Sequence, residues 1–225
     1  MQFSTVSFRS VAVAVALVAA GASANALTIN SAGLVANSVQ AFSQESLDAF
    51  DVGGVTVTAL GNATAVAGAT GSYSMPITSI TVSNSLKIAS GSASGSALEI
   101  SRVDRKLGKV GVTVANFSIN YDTKQVLADT TPLHGTTVKQ QPLYNFHTAT
   151  PLGIKYQFPL SITGHEVLDQ LTLTPEIHAT MVSALALPGY LVSALDSITT
   201  FGTLTQDIIV KTRKAVSTTP YTPAP

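Results

Sequence analysis

The sequence contains no cysteine and no tryptophan, and only 11% of its 225 residues are charged, against about 25% in typical soluble domains. The missing cysteine excludes disulfide bonds, thiolate zinc sites, a cysteine nucleophile and a lipid-modified N-terminal cysteine. Twelve basic residues balance twelve acidic ones, so the chain has no net positive charge with which to attract nucleic acid or an anionic membrane. Small and hydroxyl-bearing residues replace the charged ones, a composition suited to contact with carbohydrate, matrix or other copies, and also common in exported proteins.

Residues 1–26 have the pattern of a secretory signal peptide. Arg9 precedes the apolar run Val11–Ala20, and Ala24-Asn25-Ala26 supplies the small residues of a cleavage site. A run of about ten residues is too short to cross a bilayer roughly 30 Å thick. We therefore expect cleavage after Ala26, a mature chain with no membrane span, and a location in the periplasm or outside the cell.

The clearest local pattern lies in residues 108–129 and predicts a β-hairpin. Apolar residues alternate along the first strand, but the alternation slips by one residue at Ala115-Asn116, which is what a β-bulge produces. Asp122-Thr123-Lys124 has the composition of a tight turn, and Gln125 begins the returning strand. A lone hairpin is marginal in water, so further strands or a helix must cover its apolar face.

Helix signals occur at both ends of the chain. Ser43 can cap a short helix over about 44–52, and Thr174 followed by Pro175 can begin another. Thr163 and Glu166 have the spacing of a capping box, so we predict a helical insertion over 163–198, followed by a last strand over 202–211. Residues 89–97 fit a loop or a small-residue strand, and residues 130–142 fit a long connection.

Together these patterns predict a mainly β (α+β) fold. We expect an antiparallel sheet or sandwich with a short N-terminal helix and a C-terminal helical insertion before the last strand. Residues 27–216 should form a single β-rich domain. Residues 217–225, rich in proline and threonine, should be a disordered tail.

Three residues are candidates for holding a ligand: Tyr144, His147 and His165. His165 stands beside Glu166 and close to Asp169, but no second histidine lies four residues away, so the group does not have the spacing of a metal site. No serine is singled out as a nucleophile. We therefore assign no catalytic residue, no metal site and no cofactor.

Two classes of function remain after these exclusions. The first is an exported, non-catalytic β-rich protein that binds a small ligand, a glycan or a surface, or associates with itself in an extracellular layer. The second is an exported hydrolase whose active site the sequence does not identify. Neither class involves nucleic acid.

Overall fold

The structure is a computed structural model that describes residues 27–82, 88–157 and 161–224. The predicted signal peptide, residues 1–26, lies outside the described residues. The elements in chain order are β1 (Leu27–Asn30), β2 (Leu34–Ala41), α1 (Gln44–Gly53), β3 (Thr56–Gly61), β4 (Thr64–Ala65), β5 (Ser72–Pro76), β6 (Ser79–Val82), β7 (Ile88–Asp104), β8 (Gly108–Asn120), β9 (Gln125–Pro132), β10 (Val138–Gln157), β11 (Ser161–Leu173), α2 (Pro175–Ala184), α3 (Gly189–Asp196) and β12 (Thr203–Thr212).

The predicted mainly β fold is confirmed. Of the two predicted arrangements, the described strands form a single antiparallel sheet and not a two-sheet sandwich. The order runs from β7 through β8, β9, β10, β11 and β12 to β2 and β5. Ile77 donates its main-chain amide to Ala36 beside β2, whereas Thr78 donates to Ser92 on β7, at 2.9 and 2.8 Å. The continuous segment β5–β6 therefore bridges the two ends of this strand order, and the sheet curls until it closes on itself.

The central hairpin is confirmed, including its bulge. Strands β8 and β9 pair on either side of a register shift between Ala115 and Ser118, where Asn116 has a positive φ of 54°. Asparagine tolerates this left-handed backbone better than most residues. Side chains before and after the bulge point into the curled sheet, and they form much of its core, namely Val110, Val112, Val114, Phe117 and Ile119.

The helices pack over one end of the curled sheet. Ser43 accepts a hydrogen bond from the Ser46 amide at the start of α1, and Gly54 ends that helix with a left-handed φ of 61°, as expected from their residue types. Thr174 caps α2, with a proline in its first turn. Ile177 and Met181 of α2 pack into the main apolar core. Within the described ranges, no helix is long and apolar enough to cross a membrane.

The predicted capping box at Thr163 and Glu166 is wrong, because both residues lie in the middle of β11. This strand pairs with β10 on one side and with β12 on the other. Gly164, Glu166 and Leu168 point inward, with the two-residue period of a strand. Hydrogen bonding along both edges and burial of this face outweigh a local helix signal worth about 1 kcal/mol. The helical insertion is therefore confined to α2 and α3.

The structure also resolves two segments whose sequence was ambiguous or loop-like. Residues 89–97 belong to the 17-residue strand β7, so the small-residue strand was the correct alternative. Residues 130–142 contain the end of β9 and the start of β10, and only 133–137 connect them. Both segments contain few large apolar residues, because small and polar residues suffice where the neighbouring strands supply the packing.

The proline-rich tail, for which composition predicts disorder, makes hydrogen bonds to the sheet. The described residues 217–224 lie along the outer face of the sheet, where Ser217 and Tyr221 hydrogen-bond to asparagine side chains. Composition indicates how little core a segment can form for itself, but it does not show whether a folded surface elsewhere offers partners for its main chain.

Candidate functional site

The interior of the curled sheet is filled with side chains. Two cavities among these side chains have volumes of about 20 and 10 Å³, and a third of about 20 Å³ lies among the helices, so each has room for about one water molecule. Drug-sized ligands need roughly 300 to 1,000 Å³. Among the described residues, a binding site must therefore lie on the outside.

A polar cluster with two buried members joins β11 and β12 to Tyr121, the residue that follows β8. The Tyr121 hydroxyl donates to Glu166 Oε2 at 2.6 Å, and Gln206 Nε2 donates to the same oxygen at 2.6 Å and to the tyrosine hydroxyl at 3.0 Å. Burial raises the pKa of Glu166, although the two hydrogen bonds partly offset this effect. Burial and the neighbouring carboxylate also raise the pKa of Tyr121. The cavity that Gln206 lines in the described part of the chain has only about 20 Å³, so we interpret this cluster as structural.

The largest open concavity with a predicted site residue is a groove of about 480 Å³ that we name the His147 groove. It lies where strands β10 and β11 meet the segment between α3 and β12. Its lining consists of amides, hydroxyls, one imidazole and one aromatic ring, from Asn145, Phe146, His147, Gln170, Thr172, Thr199 and Thr200. None of these side chains carries a permanent charge.

Irregular strand pairing directs the side chains of the His147 groove. The register between β10 and β11 shifts between Asn145 and His147, and Gln170 on β11 has a positive φ of 51°. Bulges commonly re-aim side chains at functional sites, and a left-handed backbone at a residue other than glycine is strained by about 1–3 kcal/mol. At Gln170 the backbone of β11 therefore departs from regular strand geometry.

Neighbouring carboxylates hold two of the groove residues in place. His147 Nδ1 lies 2.8 Å from Asp169 Oδ1, its direct cross-strand neighbour, which orients the imidazole. Thr199 donates from its main-chain amide and from its hydroxyl to Glu45 Oε2, at 3.0 and 2.8 Å. These hydrogen bonds from Thr199 lower the pKa of Glu45. The groove is thus partly preorganised by residues outside it.

The structure does not bring the three predicted ligand-binding residues together. Tyr144 is buried, its hydroxyl accepts a hydrogen bond from Gln40 Nε2 at 3.3 Å, and burial raises its pKa to about 12. His165 lies opposite Gly153, four residues along β11 from Asp169, a separation of roughly 13 Å at the usual rise of a strand. Of the three, His147 lines the groove.

The pair His147–Asp169 has the geometry of a general base and its orienting carboxylate. The same geometry occurs twice elsewhere: His165 Nδ1 lies 2.7 Å from Asp207, and His178 Nε2 lies 2.8 Å from Asp196. A pair that recurs at three separate surface positions does not by itself define a catalytic centre. No group of three potential metal-ligating side chains occurs over 27–82, 88–157 and 161–224.

Sequence reasoning missed most of the groove. Gln170, Thr199 and Thr200 come from a strand and a connection that are distant in sequence from His147. Only the aromatic residues and the histidine within residues 144–147 indicated one wall of the groove. The left-handed backbone at Gln170 was not predictable from the residue type, because glutamine rarely adopts that conformation.

Comparison with known proteins leaves the family open. No family model matches the chain, and no curated protein sequence matches it. Among solved structures, the chain is similar to the C-terminal domain of HtaA from Corynebacterium glutamicum, with 12% sequence identity and a TM-score of 0.47 over 79% of this chain and 98% of that domain. A likeness at this level gives no assignment of function.

Proposed function

We propose that this protein is an exported, non-catalytic binding protein that holds an uncharged, hydroxyl-bearing ligand of the glycan class in the His147 groove. The observation that carries the proposal is the lining of that groove by uncharged hydrogen-bonding side chains. Export to the periplasm or beyond the cell rests on the signal-peptide pattern of residues 1–26.

The chemistry of the lining matches that of a sugar. Each hydroxyl of a neutral glycan both donates and accepts hydrogen bonds, and Asn145 and Gln170 offer both functions through their amides. Thr172 and Thr200 add hydroxyls, and His147 adds a ring nitrogen that its contact with Asp169 leaves free for a ligand. An apolar ligand would instead require a mainly hydrophobic, enclosed pocket. The groove is open, which suits one face or one end of a longer oligosaccharide.

The contacts of His147 also favour binding over hydrolysis. A serine hydrolase needs a nucleophile within hydrogen-bond reach of the base, about 2.6–3.2 Å. Among the described residues, the polar contact that His147 makes is the one with Asp169. The catalytic alternative therefore has a candidate base but no positioned nucleophile, and we keep it as an outcome of the experiment.

The experiment is a screen of the full-length exported protein against an array of neutral and acidic glycans, followed by calorimetric titration of the best neutral one. His147→Ala and Gln170→Gly test the groove, and glycine at position 170 keeps the positive φ without strain. His165→Ala is the matched control, because it removes an equivalent surface His–Asp pair outside the groove.

We expect each groove variant to weaken binding at least about tenfold, equivalent to about 1.4 kcal/mol, with no fall in the melting temperature. The His165→Ala control should bind as the wild type does. Equal loss in the control and the groove variants, or no neutral glycan bound at all, would overturn the proposal. Release of shorter glycans that depends on His147 would instead establish the hydrolase alternative.

A further inference from the structure

The chain after β12 is anchored before it crosses the outer face of the sheet. The Arg213 guanidinium donates to Asn37 Oδ1 at 2.8 Å and to the Ala32 carbonyl at 3.2 Å. The Val216 amide donates to the same carbonyl oxygen at 3.2 Å. Residues 217–224, which we name the tail, start from this fixed point and continue toward the turn between β9 and β10.

Two asparagine side chains bind the main chain of the tail. Asn116 Oδ1 accepts from the Tyr221 amide at 2.7 Å while Asn116 Nδ2 donates to the Tyr221 carbonyl at 3.0 Å, so one carboxamide satisfies both main-chain groups of one residue. Asn62 Nδ2 donates to the Ser217 carbonyl at 2.7 Å. This is the pairing by which a sheet edge binds an extended peptide, carried out here by side chains.

Glycine forms the floor beneath the tail. A Cβ atom added to Gly61 would lie 2.9 Å from the Tyr221 ring, and one added to Gly95 would lie 3.0 Å from the Thr219 carbonyl oxygen. Both glycines have positive φ, 62° and 78°. The absence of side chains lets the tail approach the sheet closely, and it leaves a shallow seat for the tyrosine ring.

The binding carboxamide is held in place independently of the tail. Asn116 is 8% exposed, its Oδ1 also accepts from the Gly95 amide at 3.0 Å, and its Nδ2 also donates to Asp129 Oδ2 at 3.0 Å. Asp129 in turn accepts from the amide and the side chain of Gln140, at 3.0 and 3.2 Å. Asn116 would therefore keep its orientation if the tail left. It is a preorganised site, and it sits on the bulge of β8.

We propose that Asn62, Asn116, Gly61 and Gly95 form a peptide-recognition groove whose occupant in trans is the tail of a second copy of this protein. The structure already shows that the segment fits, because the same residues fill the groove of their own chain. Exchange of an identical segment requires no new complementary surface, which makes it a low-cost route to association. It is independent of the glycan-binding function proposed above.

The tail of the same chain competes with that of a second copy. A short tether gives the intramolecular tail an effective concentration in the millimolar range. Exchange therefore requires either a high local density of protein, as in an extracellular layer, or a tail that has lost its own contacts. This competition determines the design of the test.

The experiment uses the full chain and a fluorescently labelled peptide with the sequence of residues 217–224, STTPYTPA. The host variant Tyr221→Pro removes the amide hydrogen that Asn116 accepts, and also the ring, without changing the groove. Fluorescence anisotropy should show at least about tenfold tighter peptide binding to Tyr221→Pro than to the wild type. A control peptide with proline at the tyrosine position should not bind.

A second host variant tests the groove itself. Asn116→Gly in the Tyr221→Pro background keeps the positive φ but removes the carboxamide, and it should abolish peptide binding. Sedimentation of the wild type at rising concentration should show association that Tyr221→Pro alone eliminates. Failure of the Tyr221→Pro host to bind the peptide, equal binding of the control peptide, or a wild type that stays monomeric at millimolar concentration would overturn the inference.

Discussion

Replacement of Tyr121 by phenylalanine tests the buried cluster most directly. The change removes one hydroxyl that donates to Glu166 at 2.6 Å and accepts from Gln206 at 3.0 Å, and it leaves the ring in the core. Loss of a hydrogen bond to a charged group costs about 1.5–3 kcal/mol. For a chain of this size, that corresponds to a fall of roughly 3 to 12 °C in melting temperature.

The loss should depend on pH, in a direction that the pKa of Glu166 determines. Burial raises that pKa above its ordinary value near 4.3, so the folded state binds protons more tightly than the unfolded state. The stability contribution of Glu166 is therefore greatest below about pH 4 and falls as the pH rises through the raised pKa. Loss of the Tyr121 hydrogen bond raises this pKa further, so the effect of Tyr121→Phe should be larger near pH 8 than near pH 4.

Tyr144→Phe is the matched control for this prediction. Tyr144 is also buried, but its hydroxyl accepts a neutral hydrogen bond of 3.3 Å from Gln40. Its removal should cost about 0.5–1.5 kcal/mol at both pH values. Urea unfolding followed by far-ultraviolet circular dichroism measures both variants. Equal losses in the two variants, or a loss for Tyr121→Phe that does not change with pH, would refute the reasoning.

Three further predictions concern stability. Gly202→Ala should lower the free energy of unfolding by about 3 kcal/mol or more, because Gly202 has a φ of 101° and an added Cβ would overlap a main-chain oxygen. Gly68→Ala is the control: Gly68 has a φ of 75° but open space around it, so the loss should be about 1 kcal/mol. Thr174→Ala should lose about 0.5–2 kcal/mol of stability, because its hydroxyl caps α2, and Thr163→Ala in strand β11 should lose less; an equal or larger loss at Thr163 would refute this order. Burial would raise the pKa of Asp129, but its hydrogen bonds outweigh burial and lower it. The stability that the Asp129 carboxylate gives the fold should therefore be lost as the pH falls below about 4. In an acid titration, the stability of Asp129→Asn should fall less steeply than that of the wild type.

Features with a local physical cause were predictable from the sequence. The slip in alternation at Ala115-Asn116 predicted a bulge, because side chains alternate with period two and an extra residue must shift them. Ser43 and Thr174 predicted helix starts, because their hydroxyls accept from amides only three residues away. The mainly β class and the last strand followed from the same kind of local evidence.

The residues of the candidate groove were predictable only at His147. Its partner Asp169, the amide of Gln170 and the hydroxyls of Thr199 and Thr200 reach the groove through strand register and a connection that no local pattern specifies. The same limit applies to Tyr144, whose aromatic ring indicated a pocket wall and proved to be core. Alternation tells which residues share a face, but it does not tell whether that face is turned inward.

The Thr163–Glu166 segment separates the two levels of information most clearly. Its capping spacing is a local signal, whereas the pairing of β11 with β10 and β12 is a long-range one, and the pairing prevailed. The sequence by itself determined the strand period, the turn chemistry and the helix caps, since each depends on atoms a few residues apart. Tertiary structure alone decided which strands became neighbours, how the sheet closed, and which surface received the tail, because those free energies arise from contacts between residues far apart in the chain.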